Sequence, residues 1–231
     1  MDGKCGNGSS LTGHCIDTLV THFTKPKFLL ACGVALGPLF YVVVVAQILT
    51  RTGFDISKHP LSLLSLGNTG WIQIANFILT GLLAIACAFG MKRALRSDAG
   101  GTWGPLLIGT YGLGMVVAGI FLPDPLPGFP PGALAGIPAQ MSEHAMLHGV
   151  GFFVAFLSLI AACFVFARRY FVVGNPGWGR YSIATGVITP LLILAGMMIQ
   201  SATSILFFVV GIIAIGWVGA VAAQLTVKST P

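Results

Sequence analysis

The sequence predicts an all-α fold: a polytopic membrane protein built as a six-helix transmembrane bundle. Three observations carry that expectation. Of the 231 residues, 55% are hydrophobic and only 8% charged, with a mean hydropathy of +0.91, whereas a soluble domain carries about 25% charged residues. Nearly the whole chain is spent on apolar runs of about 20 residues, the length that crosses roughly 30 Å of hydrocarbon at 1.5 Å per residue. The basic residues fall in alternate connections between those runs, the pattern expected when short loops lie on alternate sides of a membrane.

Taken in order, residues 1–27 make an N-terminal tail in which Leu11, Cys15, Leu19 and Phe23 recur every four residues. That spacing describes an apolar stripe on a short amphipathic helix lying along the inner leaflet, and Pro26 breaks it from the first span. The transmembrane domain is expected over residues 28–225. Its first span runs from Phe28 to Leu49, with Gly33 and Gly37 as a GxxxG pair that lets another helix pack closely. A signal peptide cleaved after Val44 and Ala46 is the competing reading of this run. Against it, the preceding flank is far longer than an ordinary n-region, and the apolar run exceeds the usual length of about 7–15 residues.

The remaining spans are expected at Trp71 to Met91, Gly104 to Leu122, His144 to Ala167, Tyr181 to Ile199 and Ser204 to Leu225, followed by a short tail at residues 226–231. Gly112 and Gly114 in the third span read as packing residues like Gly33 and Gly37. Only helices and closed barrels satisfy their backbone polar groups in lipid, and these runs show no period-two alternation, so they are helices.

Placing the N-terminus in the cytoplasm puts Lys4, Lys25, Lys27, Lys92, Arg93, Arg96, Arg168, Arg169, Arg180 and Lys228 inside, ten of the twelve basic residues, and leaves Arg51 and Lys58 outside. An even number of spans returns the C-terminus to the same side. Trp71 and Trp103 sit at span ends, where an interfacial aromatic belt belongs. The net charge of +6 is therefore a topology signal. It forms no continuous basic stripe, and no nucleic-acid partner is expected. Five cysteines without CxxC spacing argue against a zinc finger or a disulfide framework.

With this topology the polar residues gather on one side. Asp55, His59, Asp124, Glu143, His144 and His148 occupy the outer loops or outer span ends, and Gln47 and Gln200 lie near the same level. Gln73, Asn76 and Thr80 enter the membrane from that side, spaced three and four apart and so on one helix face. Polar groups in hydrocarbon turn toward the bundle, so this face looks at other helices or lines a water-filled chamber.

The fourth span opens Ser142-Glu143-His144-Ala145-Met146-Leu147-His148, with two imidazoles stacked one turn apart on one face. Such a pair is spaced to chelate one metal ion. Asp124, in a loop fixed by prolines and glycines, is a natural third ligand or the group that orients an imidazole, and His59 is a fourth candidate from the first outer loop. The plain alternatives stand beside this: interfacial histidines with ordinary hydrogen bonds, a proton relay, and Asp124 as the start of a turn. Ser62 and Ser65 are candidates for holding a headgroup, or caps of a short interfacial helix, without the strand-turn-helix setting of a GxSxG nucleophile.

The ordered segments His59-Pro-Leu-Ser62-Leu-Leu-Ser65-Leu-Gly67, Gly70-Trp71-Ile-Gln73, Asn76-Phe77, Ala118-Gly119-Ile-Phe121, Asp124-Pro125 and His144 to His148 resemble a bacterial and archaeal family of six-span membrane proteins known as domain of unknown function 998. The resemblance runs from the first span to at least the fourth. It implies the six-span architecture and a bacterial or archaeal plasma membrane, and no activity. A more distant likeness is to the ceramidase and adiponectin-receptor superfamily, seven-span proteins whose zinc is held by histidines that include an HxxxH pair. His144 and His148 match that pair in spacing, Asp124 would match the acid and His59 the third imidazole. This chain departs from the pattern in having six spans, with the pair on the fourth.

Two classes of function are consistent with these residues. In the first, an outward-facing His/Asp site acts on a lipid or small amphiphile. If zinc is held there, it polarises a carbonyl and lowers the pKa of a bound water toward about 7, with Asp124 or Glu143 as base. In the second, the chain is a non-enzymatic membrane component: a lipid-organising protein, a small transporter, or a subunit of a larger membrane complex or homo-oligomer. Pro190 in the fifth span has no counterpart in the other half, which weighs against a repeat-built transporter. A haem protein is a third idea. It has only His59, His144 and His148 near the membrane, all on one side, so a two-haem arrangement cannot be built.

Overall fold

The computed structural model describes residues 25–95, 100–133 and 140–228. The expected tail helix at Leu11 to Phe23, Arg96 and residues 229–231 lie outside them. Six helices are long and apolar enough to cross a membrane: α1 (Pro26–Thr50), α2 (Trp71–Leu95), α3 (Trp103–Ile120), α4 (Glu143–Val172), α5 (Pro176–Met198) and α6 (Thr203–Lys228). The only additional helical pieces among the described residues are two 3-10 turns, Leu61–Ser65 and Gln200–Ala202. The protein is an integral multi-pass membrane protein.

Local chemistry explains where the helices depart from the expected spans. α3 stops at Ile120, two residues early, because Pro123 follows closely and Phe121 is already extended. α4 begins at Glu143, since the Ser142 hydroxyl caps it by accepting from the Ala145 amide at 3.1 Å. It then continues past Ala167 through Arg168 and Arg169 to Val172, long cationic side chains being well suited to a helix end at the membrane surface. α5 begins at Pro176 rather than Tyr181, with proline in the first turn, where its missing N–H costs nothing.

Each helix packs against the next in chain order, and α6 returns to pack on α1, so the six close into a ring. Apolar burial alone does not drive such packing in lipid. Close backbone approach does, and it requires small residues. At the α2–α3 crossing a Cβ on Gly81 would meet the Gly112 carbonyl oxygen at 2.5 Å, and one on Gly112 would meet the Gly81 carbonyl oxygen at the same distance. Gly114 and Gly151 bring α3 and α4 together equally closely. Gly33 seats α1 against Cys87 of α2 and Ala222 of α6. The outward faces are apolar as well, with Val42 69% and Leu49 79% exposed, as a lipid-facing surface must be.

One end of the ring carries the two long connections, residues 51–70 and, among the described residues, 121–133 and 140–142, together with the short α5–α6 turn. The other carries Lys25, Lys27, Lys92, Arg93, Arg168, Arg169 and Arg180. Toward this basic end the interior is filled by Phe166, Tyr170 and Trp217. The Trp217 indole N–H donates to the Ser182 hydroxyl at 3.1 Å, and the Tyr170 hydroxyl to Gln224 Oε1 at 3.2 Å. Toward the loop end the interior is not filled.

Candidate functional site

The loop end is held together by groups that the chain places at helix ends. Arg51, the residue after α1, donates to the carbonyl oxygens of Leu64, at 3.1 Å, and Leu66, and its guanidinium stands 5.3 Å from the centre of the Phe129 ring. The first 3-10 turn is thereby fixed over the end of the bundle. His59 is buried between Phe54 and Phe129. Its Nδ1 accepts from the Asp55 amide at 3.0 Å, so Nε2 carries the proton and donates to the Pro127 carbonyl oxygen at 3.2 Å. His59 therefore joins the two long loops with both ring nitrogens committed.

Asp124 and Asp55 also have local partners. Asp124 Oδ2 accepts from the Ser142 amide at 2.9 Å and ties its loop to the start of α4, and the Ser142 hydroxyl and amide hold its carboxyl below the ordinary range. Asp55 accepts from the Ser57 hydroxyl at 2.6 Å and pairs with Lys58 at 3.1 Å. Those partners, Ser57 first, lower its pKa to about 2. His144 is exposed, edge-on to Phe121, and Glu143 is exposed beside it. Among the described residues no three His, Cys, Asp or Glu side chains are grouped so as to hold one metal ion. His59, Asp124, His144 and His148 are thus not drawn into one centre, because the first two are spent on tethering loops.

Gln73, Asn76 and Thr80 share one buried face of α2 as their spacing predicts, and this face turns to α1 rather than into open space. Gln47 Nε2 donates to Gln73 Oε1 at 2.8 Å, and Asn76 Nδ2 donates to the Phe40 carbonyl oxygen at 3.1 Å. Primary amides buried between apolar helices bond to the nearest acceptors. Gln47 Oε1 and Gln73 Nε2 are left without partners, as is the buried Ser65 hydroxyl.

The unfilled interior is a cavity of about 460 Å³, within the roughly 300–1,000 Å³ of small-molecule sites. Every helix contributes to its wall. Phe40 and Tyr41 come from α1, Phe77 from α2, Tyr111 and Met115 from α3, and His148, Phe152 and Phe156 from α4, with Gly196 of α5 and Phe207 of α6 completing it. Leu61 and Ser62 of the 3-10 turn line it as well. Phe152 stacks on Phe207, ring centres 5.3 Å apart. Of the site residues expected from sequence, only His148 and Ser62 reach this cavity.

The hydrogen bonds of His148 define its chemistry. Nδ1 lies 2.8 Å from the Ala118 carbonyl oxygen and 3.0 Å from that of Phe121. Both partners are acceptors, so Nδ1 bears a proton, and in the neutral ring this tautomer leaves the lone pair on Nε2. Tyr111 is fully buried, and its hydroxyl has no partner. Sequence reasoning passed over Tyr111, although a phenol midway along an apolar span is a visible signal. It also passed over Phe152 and Phe156, whose i, i+4 spacing gives an aromatic face.

A family model described as "Protein of unknown function (DUF998)" matches residues 34–224. No curated protein and no solved structure matches the chain.

Proposed function

The chain belongs to the DUF998 family of proteins of unknown function, and from that premise we propose that it binds a lipid or small amphiphile in the cavity at the loop end of the ring. The observation that carries this reading is the cavity itself, about 460 Å³ walled by Phe, Tyr, Met and Leu side chains with His148 and Ser62 as polar points. An apolar tail is favoured along the aromatic wall of α4 and α6, while a polar head meets the His148 lone pair. Hydrogen bonding is favoured over chelation as the role of His148, since His59 and Asp124 are engaged in loop contacts and His144 is exposed outside the cavity lining.

The loop end faces outward and both termini lie in the cytoplasm, a reading supported by the basic residues at the opposite end. An impermeant maleimide added to intact cells should label Asn68→Cys and leave Val173→Cys untouched; the reverse pattern would invert the orientation.

Native mass spectrometry of the full chain released from mild detergent tests the binding reading. One amphiphile adduct per chain is expected, depleted in Ser62→Phe, which sets a ring into the cavity. The absence of any adduct, with no uptake of added monoacylglycerol, fatty acid or lysophospholipid, would refute it.

A further inference from the structure

We propose that the occupant is an uncharged amphiphile of the acylglycerol class, and that the Tyr111 hydroxyl supplies its second hydrogen bond. This rests on the cavity being a ligand site, as proposed above.

Electrostatics comes first. No Asp, Glu, Lys or Arg is among the described residues lining the cavity. The charged groups of the loop end stand away from it: Arg51 is engaged with the Leu64 and Leu66 carbonyls, Asp55 with Ser57 and Lys58, and Asp124 with Ser142, while Glu143 is exposed and outside the cavity lining. A phosphate or carboxylate entering the cavity would lose its hydration without meeting a fixed cation, which is strongly unfavourable. A neutral head has no such obstacle.

The two hydrogen-bonding points narrow the class further. His148 Nε2 presents a lone pair and so selects a donor, a hydroxyl. Tyr111 lines the cavity and its buried hydroxyl has no partner, so it lacks an acceptor, and leaving a buried hydroxyl unpaired is unfavourable. Tyr111 lies on α3 two helical turns below Ala118, the residue that holds His148, a depth of about 10 Å. Two hydrogen bonds of about 2.8 Å with a glycerol ester between them are of the same order as that rise. The head hydroxyl then donates to His148, the ester carbonyl accepts from Tyr111, and the acyl chain continues along Phe152, Phe156 and Phe207.

The test measures equilibrium binding of tritiated 1-monopalmitoylglycerol, hexadecanol, palmitate and lysophosphatidylcholine to the detergent-solubilised full chain and to Tyr111→Phe. Monopalmitoylglycerol should bind tightest. Tyr111→Phe should weaken it by about five- to tenfold, the contribution of one ordinary hydrogen bond, and leave hexadecanol, which has no second oxygen, unchanged. Thermal unfolding of Tyr111→Phe should match or exceed that of the parent, since no bond within the protein is lost, and this separates binding from folding. Palmitate or lysophosphatidylcholine binding as well as monopalmitoylglycerol would overturn the uncharged-head assignment while leaving the cavity reading intact. An equal effect of Tyr111→Phe on monopalmitoylglycerol and hexadecanol, or none on either, would overturn the role of Tyr111. If none of the four binds, the cavity reading itself fails.

Discussion

His148 of α4 donates from Nδ1 to the carbonyl oxygen of Ala118 in the last turn of α3, at 2.8 Å. The final carbonyls of a helix have no partner within it. The Val117 carbonyl receives the Phe121 amide, and Ala118 receives an imidazole from the neighbouring helix. One side chain thus completes the end of α3, fixes its own tautomer and leaves its second nitrogen for the cavity.

Replacing His148 with Ala should therefore destabilise the protein as well as weaken ligand binding. Two part-buried carbonyls lose their donor, an effect of about 1–3 kcal/mol, read as a lowered unfolding temperature in detergent. An unfolding temperature equal to that of the parent would mean that water replaces the imidazole without loss.

The α3–α4 contact makes a sharper distinction between two glycines of α4. A Cβ at Gly151 would lie 2.7 Å from the Ala118 amide nitrogen, whereas at Gly149 nothing stands within 4 Å. Gly151→Leu forces the helices apart and should cost about 1–3 kcal/mol or more. Gly149→Ala should be neutral or stabilising, because glycine is the poorer helix former by about 1 kcal/mol. Comparable unfolding temperatures for the two variants would show that the helices do not meet here.

The amide pair between α1 and α2 predicts non-additivity. Gln73→Leu leaves the Gln47 amide with only its longer bond to the Val43 carbonyl oxygen, at 3.4 Å, and should cost about 0.5–2 kcal/mol. Gln47→Leu combined with Gln73→Leu also removes the two unpartnered atoms, so the double variant should recover much of that loss. A double-mutant cycle measures the coupling; a coupling of zero would mean the 2.8 Å bond contributes nothing.

The two loop carboxylates set an acid limit. The Asp55 pKa is lowered to about 2 and that of Asp124 is also lowered, each chiefly by a serine, from an unfolded value of about 3.9. Because the folded values are the lower ones, their stabilisation is full above about pH 4 and is lost as pH falls through the folded values, which for Asp55 is about 2. The Ser142 amide should therefore exchange faster as pH drops through that window, once intrinsic exchange is corrected for. In Asp124→Asn, which keeps an uncharged acceptor, its protection should change much less. Parallel profiles for the two proteins would remove Asp124 as the cause.

The sequence by itself determined the six spans, since apolar runs long enough to cross a bilayer leave the backbone no alternative to helix. It also determined the small-residue contacts at Gly33 and Gly112, the exposed tryptophans at span ends, and the one-faced array Gln73, Asn76 and Thr80, because each follows from helical periodicity within a single segment. What each array faces is a property of the ring, and only the tertiary structure decided it. Spacing puts His144 and His148 on one face, yet a turn of helix leaves one exposed and sets the other against Ala118. His59 and Asp124 have the chemistry of ligands, but the loops fold so that the first hydrogen bond within reach is their own backbone. The cavity is legible in no segment, because its wall draws on all six helices, and an unfilled space exists only where those helices fail to meet.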